Sequence, residues 1–126
     1  MLKPNGSFLM IDNVVPDKSH LAEFMNTMEK LRDESHVQCL SIETWRQLFC
    51  QAGLSVIKSE SRKKTYRFPQ WVKRTADSPG QIEEVENHIL RASNEIHAYF
   101  HVQIADRHVQ SLQVDEWMVL CQKKSE

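Results

Sequence analysis

Arg32-Asp33-Glu34-Ser35-His36 puts a cation, a hydroxyl, an imidazole and carboxylates into one short stretch. An imidazole titrates close to neutral pH, so His36 is suited to take a proton from a substrate. Asp33 is placed to orient that ring, and Arg32 to hold an acidic group of the substrate. The stretch closes an amphipathic segment and precedes a break, so its side chains stand at a helix end, where they can point into a cleft. The structural alternative is that Arg32 and Asp33 only complete a helix C-terminus and a salt bridge.

Asp12 and Asn13 form a second candidate group. They end the apolar run Phe8-Leu9-Met10-Ile11. In an open α/β sheet, ligands sit outside the carboxyl ends of the strands, which makes both residues substrate-pocket candidates. Capping of the following turn is an equal alternative for Asp12. Trp71, on a short helix between loops, reads as pocket wall or as core, whereas Trp45 and Phe49 read as core. His97 and His101 share a helical face, but no H-E-x-x-H frame and no third ligand accompany them, so no metal site is assigned.

These groups need elements to position them. The strand runs from Ser7 to Asn13. A run with no polar alternation is the pattern of a strand buried on both faces. A helix is predicted from about Ser19 to Asp33, with Asp17 or Ser19 as its cap and Leu21, Phe24, Met25, Met28 and Leu31 on its buried stripe. Ser41 caps a second helix that Gly53 ends. A strand with an edge-like character follows over Leu54 to Tyr66. Pro69 opens a short helix, and residues 76 to 80 form a loop. One long helix is predicted from Gln81 to about Val102. A short strand over Val109 to Val114 and a last strand over Trp117 to Cys121 complete the chain.

With 126 residues, the chain has room for one domain, residues 1–126, with a real core. Its formal net charge of −1, from interspersed acids and bases, argues against a dedicated nucleic-acid surface, and the short basic stretch Arg62-Lys63-Lys64 reads as a solvated strand end rather than a phosphate site. No apolar run reaches the ~20 residues of a membrane span. Cys39, Cys50 and Cys121 show no C-x-x-C spacing and read as reduced thiols of a cytoplasmic protein.

Leu2-Lys3-Pro4-Asn5-Gly6, the apolar strand and Asp12 resemble the "LKPGG" turn and strand of class I S-adenosylmethionine-dependent methyltransferases. The resemblance continues through residues 31–37, Trp45, Ala52-Gly53-Leu54 and residues 68–74. It is to the C-terminal half of small-molecule enzymes related to the ubiquinone/menaquinone C-methyltransferases. It implies a partial Rossmann-like α/β fold: a small mixed sheet of about three strands, the last antiparallel and central, packed with about four helices. It implies S-adenosylmethionine as cofactor, a small-molecule acceptor, and residues 32–36 on the substrate side of the pocket.

The family's glycine-rich cofactor loop is missing. The glycines are Gly6, Gly53 and Gly80, with no G-x-G pattern. The chain therefore reads as the substrate-side half, with no cofactor-binding residues of its own and no activity alone. The opening strand should be an exposed edge that pairs through Ser7–Asn13 with a second copy or with a separate cofactor-binding half. The alternative is a non-catalytic module that uses the same edge for dimerisation or docking.

Overall fold

The computed structural model describes residues 6–76 and 78–124. Of the turn expected at Lys3-Pro4-Asn5-Gly6, only Gly6 lies within them. The elements run β1 (Ser7–Val14), α1 (Ser19–Arg32), α2 (Ile42–Gln51), β2 (Leu54–Arg67), α3 (Phe68–Val72), α4 (Pro79–Leu90), α5 (Asn94–Tyr99), β3 (Gln103–Ala105) and β4 (His108–Lys123). β4 pairs antiparallel with both β1 and β2, giving the order β1-β4-β2, and β3 folds back on β4. The last strand thus lies between the other two, as the resemblance implies.

Local chemistry sets the helix ends. Ser41 Oγ accepts from the Thr44 amide, Ser78 Oγ from Gln81, and Ser93 Oγ from Ile96. Gly53 takes φ +77° after α2 and turns the chain into β2. α1 is different: its N-cap position is Lys18, with no side-chain cap, so neither Asp17 nor Ser19 fills that role.

The structure corrects the C-terminal third of the sequence reading. The single helix expected over residues 81–102 is two, α4 and α5, because Ser93 caps a new start after the chain leaves α4 at Arg91. His101 lies beyond α5 with φ +48°, so it does not share a helical face with His97. The two strands expected over residues 109–121 are one, β4. β3 was not anticipated. It joins β4 through Asp106 and Arg107, both at positive φ (52° and 66°), a two-residue hairpin turn that asparagine and glycine ordinarily signal. The chain therefore has four strands and five helices among its described residues.

Side chains alternate across a strand, and β4 uses both its faces. Leu112 and Val114 share a face with Tyr66 of β2, which pairs with Leu112. They pack with Met25 and Met28 of α1, Trp71 and Val72 of α3, and Val85 and Ile89 of α4. Trp117, Val119 and Cys121 project from the opposite face, where Phe49 of α2 and Val14 of β1 cover them. One strand thus joins two cores.

Candidate functional site

α1 begins after β1 and carries its last turn back to the carboxyl end of that strand. The segment after α1 then crosses the strand end before α2. A cleft of about 380 Å³ lies between them, lined by Asp12, Asn13, Glu29, His36, Cys39 and Trp45 among others. Three of the candidates, Asp12, Asn13 and His36, therefore meet at one place. The other three do not face it directly.

His36 is held by Asn26 of α1. Its Nε2 lies 3.2 Å from Asn26 Oδ1, and Asn26 Oδ1 also accepts the Cys39 amide at 2.7 Å. Asn26 Nδ2 donates to the Cys39 carbonyl, so this one amide side chain clamps the 36–39 loop at both ends. An amide oxygen only accepts. Nε2 therefore carries the proton, and Nδ1 is the basic nitrogen of neutral His36.

Asp33, which was expected to orient His36, spends its carboxylate on Ser35. Oδ1 accepts from the Ser35 hydroxyl at 2.6 Å and from its amide at 3.0 Å. Those two bonds, the hydroxyl first, hold the Asp33 carboxyl below its ordinary range. Asn26 takes the orienting position instead.

Arg32 and Trp71 form the wall behind the cleft. The Arg32 guanidinium stands 4.3 Å over the Trp71 ring and donates to Glu29 Oε2 at 3.2 Å. Trp71 stacks on Tyr66 at 4.8 Å, and the Tyr66 hydroxyl accepts from Asn13 Nδ2 at 2.6 Å. Arg32, Trp71, Tyr66 and Asn13 are thus linked in series from the end of α1 to the end of β1.

Two cleft residues were not singled out for chemistry in the sequence. Glu29 is a carboxylate only 6% exposed, and its Oε1 has no hydrogen-bond partner among the described residues. The signal was present, because Met25, Met28, Glu29 and Arg32 share one helical face that is otherwise apolar. Trp45 stacks on Phe49 at 5.6 Å, as a core residue should. Its indole N–H, however, is also buried without a partner. The Cys39 thiol is pushed up to about 12 by burial and then by the charges of Glu29 and Asp12. It is a neutral thiol at physiological pH.

Among the described residues, no group of histidine, cysteine and carboxylate side chains could hold a metal ion. Among the described residues, no helix is long and apolar enough to cross a membrane. Gly53 follows α2 and Gly80 sits in the first turn of α4.

An antiparallel last strand lodged between two parallel strands, with helices on both faces, defines a Rossmann-like methyltransferase fold. The solved structures bear this out. Over 98% of its length the chain superposes with a TM-score of 0.94 on Bacillus halodurans C-125 protein BH2331, which carries a methyltransferase assignment, at 25% identity. It matches Bacillus subtilis YcgJ over 99% of its length with a TM-score of 0.86 and 25% identity. It covers 58% and 54% of those two chains. In sequence it is 30% identical over 95 residues to YcgJ of Bacillus subtilis strain 168, described as an uncharacterized methyltransferase. It is 29% identical over 103 residues to the uncharacterized protein YafE of Escherichia coli K12. The chain spans 38% and 50% of the lengths of these relatives. No protein-family model matches it.

Proposed function

We propose that residues 1–126 form the substrate-side, C-terminal half of an S-adenosylmethionine-dependent small-molecule methyltransferase domain of the ubiquinone/menaquinone C-methyltransferase type. The observation that carries this reading is the cleft at the carboxyl end of β1, which brings Asp12, Asn13 and His36 together within a methyltransferase fold. His36 removes the acceptor's proton at Nδ1, and Asn26 fixes the ring through Nε2. Asn13 lines the acceptor side of the cleft, and Trp71, buried in the first core, backs it through Tyr66, with Arg32 held over its ring by Glu29. S-Adenosylmethionine supplies the methyl group, and a separate cofactor-binding half holds it. The lone chain is inactive.

The experiment is a calorimetric titration of the purified chain with S-adenosylmethionine, with mass read by light scattering on the same sample. The expected result is no heat of binding. Micromolar binding would overturn the division of labour between two halves.

A second reading is favoured by the edge of β1, which among the described residues pairs only with β4. An open edge templates pairing with another chain. In this reading the chain is a non-catalytic module that dimerises or docks through Ser7–Asn13. A tight dimer by light scattering, with neither cofactor nor acceptor binding, would select it.

A further inference from the structure

Four side chains carry a buried polar atom with no hydrogen-bond partner among the described residues, and two of them, Glu29 and Trp45, line the same cleft. Glu29 spends Oε2 on Arg32 at 3.2 Å and leaves Oε1 without a donor. Trp45, stacked on Phe49, leaves its indole N–H without an acceptor. Buried polar groups in folded proteins are otherwise paired, because an unmade hydrogen bond there costs the desolvation of the group. One of these two atoms accepts and the other donates. They come from separate helices, α1 and α2, and meet at a space of about 380 Å³ beyond the end of β1.

We propose that Glu29 and Trp45 select the acceptor: Glu29 Oε1 takes a hydrogen bond from, and the Trp45 N–H gives one to, an uncharged molecule that carries a hydroxyl. The inference rests on the reading of the cleft as the acceptor site, and it names the class of acceptor. Charge narrows that class. Asp12 and Glu29 bring two carboxylates to the cleft wall, and neither lysine nor arginine is among its described lining residues. Arg32 does not supply a cation, because it is held against Glu29 and over the Trp71 ring. A carboxylate or phosphate brought here meets like charge and has no proton to give to Glu29. An ammonium has no lone pair to accept from Trp45. A hydroxyl does both, and a bond to an ionised carboxylate is stronger than one between neutral groups. A site built to bond a hydroxyl also rejects the analogue that lacks it, because its own buried polar atoms are then left unpaired. The cleft thus does not recognise the acidic group expected at Arg32.

The test titrates the chain, isotope-labelled at its tryptophan indoles, with phenol as the hydroxyl probe. Phenol should move the Trp45 N–H signal and leave those of Trp71 and Trp117, which sit in the two cores. Anisole keeps the ring and the oxygen but has no proton to donate. Anisole, benzoate and benzylammonium should each bind at least about tenfold more weakly than phenol. Glu29→Gln removes one carboxylate and releases Arg32, so it should admit benzoate. The Trp71 and Trp117 signals show whether that variant is folded, and the comparison of the four probes on the unaltered chain decides the matter if it is not. The proposal is overturned by a Trp45 signal that phenol leaves unmoved, by all three indoles moving together, by any control that binds as tightly as phenol, or by a folded Glu29→Gln that still excludes benzoate. The titration involves no methyl transfer, so its failure removes the selecting pair and leaves the methyltransferase reading. Micromolar S-adenosylmethionine binding by the lone chain would instead remove the division of labour between two halves and leave the indole result.

Discussion

Glu29 and Arg32 show how one turn of helix serves both stability and the cleft. Their side chains are about one-tenth exposed, so their charges must compensate each other. Arg32→Ala leaves the carboxylate buried and unpaired and strips the cation from the Trp71 face. The expected loss is roughly 3 kcal/mol, measured by urea denaturation. Arg32→Lys should recover only part of it, because an ammonium neither stacks on Trp71 nor presents the same planar fork. His36 calls for a different measurement. In a methyltransferase completed by its cofactor half, His36→Gln should lower the rate about 10²-fold or more without unfolding the chain. Asn26→Ala should also lower the rate, because the ring loses the partner that fixes its orientation and tautomer. An unchanged rate in His36→Gln would remove the base assignment.

At the scale of elements, segments with local signals were legible. β1, α1, α2, β2 and α3 lie close to their expected spans, because the apolar periods, Ser41, Gly53 and Pro69 each act through neighbours a few residues away. The α4–α5 break was not legible, because residues 81–102 keep an apolar helical spacing through it and Ser93 is the only local mark. The β3–β4 hairpin was missed because its turn is Asp-Arg rather than Asn-Gly. Of the site, the His36 loop and the β1 end were legible. The roles of Asn26 and Glu29 depend on contacts ten or more residues away or on burial, which a single sequence does not display. The turn supports a direct prediction. Asp106→Asn with Arg107→Gly keeps the hairpin and removes the cost of positive φ at a long side chain. It should stabilise the protein by about 0.5–1 kcal/mol, read as a raised thermal midpoint. Ser93→Ala should cost about 1 kcal/mol by removing the α5 cap.

The whole molecule is two cores on opposite faces of one strand, and Glu116 lies where β4 passes from one to the other. It is 7% exposed, between Val114 of the first core and Trp117 of the second. Arg62 reaches its Oε1 at 2.6 Å and Lys64 its Oε2 at 3.4 Å, both from β2. Burial works to raise the Glu116 pKa, but the bonds from Arg62 and Lys64 outweigh it and hold the carboxyl below its ordinary value. A depressed carboxylate binds its proton more weakly in the folded state than in the unfolded chain. Its contribution to stability is therefore fully present above the ordinary glutamate pKa of roughly 4.3 and is lost as pH falls through the folded value. Glu116→Gln removes the titrating group while keeping its shape, so it should lower stability at pH 7 and flatten the acid limb of the stability curve below about pH 4.3. Because Glu116 links β4 to β2 between the cores, acid should loosen both together. Near-ultraviolet signals from Trp71 in the first core and Trp117 in the second should fall in one transition, which single-tryptophan variants can resolve. Two separate acid transitions would show that the cores are independent units and that β4 does not couple them.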